Sequence, residues 1–294
     1  MEDRDARVVV DVGGAALACG VAGAIDGPVV ILAHGFPDCA RSFREQLPPL
    51  VAGGFRVVTP TMRGYAPSSI ARDGRYDAAA LGADLVGLAR HFAGDRRAIL
   101  VGHDWGALAA YAACALAPQA FARVVTVAVP QLAATARNFA TLAQLRRSWY
   151  IGLFQLPLVA ERTLAAHDFA LVDRLWRAWS PAFTPPPDEM RAVKQALRHR
   201  VTDVLAYYRA IRDVRSPARS LLFARTTVPA LYVHGRGDGC VGVEVCDGVE
   251  HGYSGPRPPL IRTLDGGHFV HQENATEFNR LLMSFVQEPI ESSW

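Results

Sequence analysis

An excess of positive charge is missing from this chain: 31 Lys and Arg face 28 Asp and Glu, so the formal net charge over 294 residues is only +3. No run of basic side chains makes up for that balance, and no nucleic-acid partner is expected. Long apolar runs are missing too. None approaches the ~20 residues a membrane span needs, so no membrane partner is expected. The segment Met1-Glu2-Asp3-Arg4-Asp5 mixes both signs of charge and lacks the basic-then-apolar order of a secretion signal. Cysteine is sparse and unpatterned. Cys19, Cys39, Cys114, Cys240 and Cys246 are odd in number, and no pair has the spacing of a zinc knuckle or redox motif, so no metal is expected. Cys114, in an Ala-rich apolar segment, reads as core packing. The expectation is a soluble protein of a reducing, cytoplasmic compartment.

What is present is a large supply of apolar residues, half of the chain, enough for one large core with a smaller inserted unit. The first third alternates strand and helix patterns. Strands are expected over 7–12, 15–21, 29–33, 55–59, 97–101 and 124–129, and helices over 40–51, 78–92 and 106–116. This rhythm argues for a mostly parallel sheet with helices on both faces. From Gln131 to about Leu222 strand patterns stop and helical ones take over. The βα rhythm resumes at 228–233 and 261–264, with a closing helix over 277–286. The simplest account is an α/β core, residues 1–130 and 223–294, interrupted by an all-helical cap, residues 131–222.

The chemistry centres on Val101-Gly102-His103-Asp104-Trp105-Gly106, between an expected strand and an expected helix. Glycines two before and two after a nucleophile permit the sharp strand-to-helix turn of the nucleophile elbow. Gly102 and Gly106 hold those places and Asp104 holds the nucleophile's. Asp104 could instead simply cap the following helix. As a nucleophile, an ionised carboxylate has no proton to lose and can attack an electrophilic sp³ carbon directly, opening an epoxide or expelling a halide. The resulting alkyl ester then needs a His, oriented by an acid, to activate water.

His268, in Asp265-Gly266-Gly267-His268-Phe269, has the chain position for that base, with His271 as the nearby rival. Asp238 is the acid. It follows the strand ending at Val233, whereas the alternative position after Val129 reads Pro130-Gln131 and has no carboxylate. Asp238 between glycines could also be a turn residue. The order Asp104, Asp238, His268 nevertheless reproduces nucleophile, acid, base. His34-Gly35-Phe36-Pro37 follows the strand over 29–33, so the amides of Phe36 and Trp105 would form the oxyanion hole.

With these residues the chain resembles the α/β-hydrolase-fold epoxide hydrolase family, on the motifs His34-Gly35-Phe36-Pro37 and Gly102-His103-Asp104-Trp105-Gly106. The resemblance runs from about Val29 to the terminal helix. It implies two cap tyrosines that hydrogen-bond the epoxide oxygen and protonate the opening alkoxide. Tyr150, in Tyr150-Ile151-Gly152-Leu153-Phe154-Gln155, matches one context, and Tyr208-Arg209 matches the other. Tyr207 competes with Tyr208, because adjacent helix positions point ~100° apart. The chain departs from the family pattern at Thr61-Met62-Arg63-Gly64-Tyr65, which lacks the usual preceding acid, and at Ala66, where Gly is frequent. Trp149, Leu153, Leu156 and Phe154 suggest an apolar substrate pocket.

The function these residues imply is an epoxide hydrolase that acts on a small apolar epoxide and water, without cofactor, as a monomer or homodimer. A haloalkane dehalogenase shares the fold and the Asp nucleophile, but usually has Asn where Phe36 stands. A fluoroacetate-type dehalogenase would have Arg after the nucleophile. An esterase gains nothing from carboxylate attack. A non-catalytic binding protein of this fold would be expected to have lost one of Asp104, Asp238 and His268.

Overall fold

The computed structural model describes residues 6–213, 216 and 218–288. Eight strands make one sheet: β1 (Ala6–Asp11), β2 (Ala16–Gly23), β3 (Val29–Ala33), β4 (Arg56–Pro60), β5 (Ala98–His103), β6 (Phe121–Val127), β7 (Ala230–Gly235) and β8 (Leu260–Leu264). Their order is β1-β2-β4-β3-β5-β6-β7-β8. β1, β2 and β4 pair antiparallel; from β4 across to β8 every pairing is parallel. Sequence pattern and burial agree. The continuous apolar runs β3, β5, β6 and β7 are buried at every position, as central parallel strands must be. β2 mixes buried and half-buried positions.

Helices α1 (Leu47–Ala52), α2 (Ala78–Ala93) and α3 (Trp105–Leu116) follow in the first third. The expected 40–51 helix is instead a 3₁₀ turn, Ala40–Phe43, and then the short α1. Pro48 and Pro49 lie in the first turn of α1. Proline suits a helix start, where its missing N–H costs nothing, but not the interior of the longer helix. α2 and α3 cover one face of the sheet, and Gly82 lets α2 approach the Ala112–Ala113 backbone of α3.

Between β6 and β7 come α4 (Leu132–Thr135), α5 (Leu142–Arg147), α6 (Trp149–Phe154), α7 (Val159–Trp179), α8 (Pro187–Leu197), α9 (Val201–Ala210) and α10 (Ala218–Leu222). Among the described residues of this insertion there is no strand. α7 is broken at Ala166–Phe169, where His167, Asp168 and Phe169 take positive φ. α10 lies against α2 and α3. The chain closes with α11 (Val270–Glu273) and α12 (Ala275–Gln287). Phe278, Leu282 and Phe285 of α12 join Leu50 of α1 in the core on the second face.

The topology fixes where a ligand goes. From β3 the chain crosses to β4 on one side, then returns past β3 to β5 on the other. At such a switch point the loops leaving the two strands diverge and open a crevice beyond their carboxyl ends. Here those loops are His34–Asp38 and the turn at Asp104.

Candidate active site

The turn after β5 is a strained one. Asp104 has φ 52 and ψ −117, a left-handed conformation that side chains other than Gly rarely adopt. The glycines around it have no room for anything larger. A Cβ on Gly102 would strike the Gly106 carbonyl, one on Gly106 would strike that of Ala33, and one on Gly35 would strike the Asp104 carboxylate. Asp104 therefore stands at the N-terminus of α3 without capping it: its side chain makes no cap hydrogen bond. Instead the Phe36 N–H donates to Asp104 Oδ1 at 2.7 Å. The loop that presents this amide is held by His34, whose Nε2 accepts from the Met62 N–H at 3.0 Å. Burial lowers the His34 pKa to about 4, so the ring stays neutral and can accept.

The other carboxylate oxygen, Oδ2, lies 3.6 Å from His268 Nε2. On the far side of the imidazole, Nδ1 is 2.9 Å from Asp238 Oδ2. Asp238 Oδ1 accepts from the amides of Cys240 and Val241 at 2.7 and 2.9 Å. Burial works against the charge on Asp238, but His268, His234 and the Val241 amide outweigh it and hold the carboxyl below its ordinary range. Burial likewise opposes a proton on His268. The Asp238 and Asp104 carboxylates prevail and lift the imidazole to about 10, so the free protein holds an imidazolium between two anions. His268 is further fixed through its backbone: its N–H donates to the Trp179 carbonyl at 3.0 Å, and its carbonyl accepts from His103 Nε2 at 3.0 Å. His103 thus sits behind the site, and burial with the nearby His268 pushes its pKa down to about 3. His271 turns to Ser42 Oγ, 2.8 Å away, with its ring tilted against that of Phe43, not toward Asp104.

The cap supplies the roof. Tyr150 on α6 and Tyr208 on α9 are both buried, with ring centres 5.7 Å apart. Phe36, Trp105 and Phe154 surround the Tyr208 ring at 5.0–5.4 Å. Tyr208 Oη makes no well-formed hydrogen bond among the described residues. Burial, with the Asp104 carboxylate nearby, raises its pKa well above the ordinary phenol value, so it is a neutral donor. Tyr207 is spent elsewhere. Its hydroxyl donates to the Arg63 carbonyl at 2.7 Å, and Arg63 is itself clamped by a buried two-pronged pair with Asp84 at 2.6 Å. That anchor turns the next residue of α9, Tyr208, inward. Gln155 ties the two tyrosine helices together, donating from Nε2 to the Tyr208 carbonyl at 3.0 Å.

The alpha/beta hydrolase fold family matches residues 28–275. Epoxide hydrolase A of Mycobacterium tuberculosis is 31% identical over 315 residues, spanning 95% of this chain and 96% of that protein. The crystal structure of epoxide hydrolase A from Mycobacterium thermoresistibile superposes with a TM-score of 0.80 at 28% identity, over 97% of this chain and 98% of that one. An epoxide hydrolase from Vigna radiata, 22% identical, shares the fold with a TM-score of 0.79 over 97% and 99% of the two chains. The chain belongs to the α/β-hydrolase-fold epoxide hydrolase family.

Around this family's elbow, several residues had gone unnoticed in the sequence. Cys240 Sγ lies 3.4 Å from Tyr150 Oη, linking the acid loop to a cap phenol; burial raises the thiol pKa well above its usual value, so it is no nucleophile. Trp176 Nε1 donates to the Pro37 carbonyl at 2.7 Å, fastening α7 to the loop that carries Phe36. Neither link has a sequence signature. Of the expected pocket residues, Phe154 is fully buried among the aromatic rings and Leu153 is half-buried. Trp149 is on the outside: 43% exposed, with the Arg174 guanidinium 5.4 Å above its ring. Leu156, 51% exposed in the turn after α6, is outside as well, and the structure brings neither to Asp104. Beside Trp105, a cavity of about 350 Å³ opens between the cap and α2–α3, lined in part by Leu108, Leu132 and Tyr207.

Proposed function

We propose that this chain is an epoxide hydrolase that converts an epoxide to a vicinal diol through an ester on Asp104. The observation that carries the reading is a division of labour among buried groups. Asp104 Oδ1 is held by the Phe36 amide, Oδ2 is left for attack, and the buried Tyr208 phenol makes no well-formed hydrogen bond, with the Trp105 indole and the Tyr150 hydroxyl as its polar neighbours. A buried hydroxyl without a well-formed hydrogen bond is costly and calls for a ligand oxygen.

In the first step Asp104 Oδ2 forms a bond to a ring carbon and the carbon–oxygen bond of the epoxide breaks. The released oxygen takes a proton from Tyr208 or Tyr150. An alkoxide is a poor leaving group, so this proton lowers the barrier. Esterification removes the negative charge from Asp104 and with it one of the two anions that keep His268 protonated. Its pKa then falls, its proton passes to the tyrosinate left by ring opening, and Nε2 becomes available as a base. In the second step His268 takes a proton from water, which attacks the Asp104 carboxyl carbon. The oxyanion that forms at Oδ1 already faces the Phe36 N–H, and the Trp105 amide at the start of α3 is the second donor. Collapse breaks the acyl–oxygen bond, the leaving oxygen takes the proton held by His268 and departs in the diol, and the new Asp104 carboxyl returns its proton to His268, restoring carboxylate and imidazolium.

The test is a single turnover in ¹⁸O-labelled water. The label should appear in the Asp104 carboxylate, with the first diol unlabelled. Label found directly in that diol would overturn the covalent route. Haloalkanes run alongside should release no halide.

A further inference from the structure

Outside the site, the cap has an apolar face that covers nothing. α5 and α6 are separated only by Ser148. Along them Leu142, Leu145 and Trp149 recur at spacings of three and four, which places them on one side of the two short helices, and the turn after α6 adds Leu156. All four are exposed, Leu142 at 64% and Leu145 at 58%. Gly152, which completes the stripe, faces open space, and Leu158 and Val159 extend it, both exposed. The opposite side of the same helices carries the buried Gln144, Tyr150 and Phe154. From Leu142 to Gly152 the stripe runs about 15 Å, at ~1.5 Å per residue. Contiguous exposed apolar surface of this kind marks an interaction site.

Charge says what would cover it. Between residues 136 and 180 the only carboxylates are Glu161, Asp168 and Asp173, and each is neutralised, by Arg209, Arg198 and Lys194 respectively. Arg146, Arg162 and Arg177 are exposed and make no ion pair among the described residues, while Arg174 lies over the Trp149 ring. A surface with unmatched leucines, an indole and unmatched guanidinium groups complements the interface of an anionic bilayer. It does not complement itself, because pairing two copies face to face would bring like charges together.

We propose that the outer face of α5 and α6 docks on anionic membranes. The absence of a spanning run excludes crossing a bilayer, not lying on one. If the epoxide reading above holds, docking places the helix that carries Tyr150 against the phase in which lipophilic epoxides accumulate. The docking itself does not depend on that reading.

The test is co-sedimentation of the full chain with phosphatidylcholine vesicles, with and without half phosphatidylglycerol. The expected result is binding to the anionic vesicles that falls at least tenfold between 0.05 and 0.5 M salt, because the attraction is screened. Leu142→Glu with Leu145→Glu should abolish the binding. Arg146→Glu with Arg162→Glu should weaken it more than tenfold, at about fivefold for each Arg removed before counting the added repulsion. Both variants should hydrolyse a short, water-soluble epoxide at the parent rate, which also reports folding. Equal sedimentation with neutral vesicles, or binding untouched by either pair, would overturn the proposal. So would a concentration-dependent dimer in vesicle-free light scattering that the same substitutions dissociate, because a second copy would then cover the stripe. None of the sedimentation readouts needs turnover, so an inactive but membrane-binding chain would sink the epoxide reading alone.

Discussion

Replacing Tyr208 by Phe should make the protein more stable and less active at once. Its hydroxyl is buried and makes no well-formed hydrogen bond, its polar neighbours being only the Trp105 indole and the Tyr150 hydroxyl, and an unsatisfied buried polar group costs about 1–3 kcal/mol. Tyr208→Phe deletes that group but keeps the ring in its cage of Phe36, Trp105 and Phe154. At about 2.1 cal/mol/K per residue, the unfolding entropy of 294 residues is about 0.6 kcal/mol/K, so the gain should appear as a rise in Tm of roughly 2–5 °C. Ring opening loses one of its two donors, and the loss of a donor aimed at developing charge costs about 10²–10³ in rate. Thermal melts and stopped-flow tryptophan fluorescence over a single turnover would measure the two effects. The control is Tyr207→Phe, which leaves the Arg63 carbonyl without its 2.7 Å partner and should lower Tm. A fall in Tm for Tyr208→Phe together with an alkylation rate within twofold of the parent would refute the reasoning, since Tyr208 would then be an ordinary packed side chain.

Two further outcomes follow from the triad geometry. His268→Gln should permit alkylation but block ester hydrolysis, so that mass spectrometry finds a substrate adduct on the peptide containing Asp104; an unmodified peptide after incubation with a substrate would remove His268 as the base. The second concerns pH. The His268 pKa, raised from its unfolded value of ~6.5 to about 10 by the Asp238 and Asp104 carboxylates against the effect of burial, adds stability. That contribution is complete below ~6.5 and is lost as pH rises through about 10. Melts between pH 6.5 and 10 should therefore show a steeper loss in the parent than in Asp238→Asn. Equal slopes would mean that Asp238 does not hold the proton.

Much of the site was legible in the sequence because its requirements are local. A left-handed turn with two carbonyls pressing on it demands Gly102 and Gly106 whatever the rest of the fold does. The chain order of Asp104, Asp238 and His268 reflects strands whose loops all leave the same edge of a parallel sheet. The choice between Tyr207 and Tyr208 was not legible. It turns on the Arg63 carbonyl, which reaches α9 from a loop well over a hundred residues earlier. Trp149 was misleading for a related reason: an aromatic beside Tyr150 looks like pocket lining, but on a helix the neighbouring side chain points away, here to Arg174. The expected helix over 40–51 failed at Pro48 and Pro49, which permit a helix to start but not to continue through them.

By itself, then, the sequence determined the layering of the core, the elbow and the carboxylate at its tip, because burial on both faces and a strained turn leave their marks in consecutive residues. Only the tertiary structure decided which groups were already partnered. It gave the Pro37 carbonyl to Trp176, His103 to the back of His268 and Tyr207 to Arg63, and it left the Tyr208 hydroxyl without a well-formed hydrogen bond. Such choices depend on hydrogen bonds between segments far apart in the chain, and satisfying one buried donor settles which neighbour remains free to act.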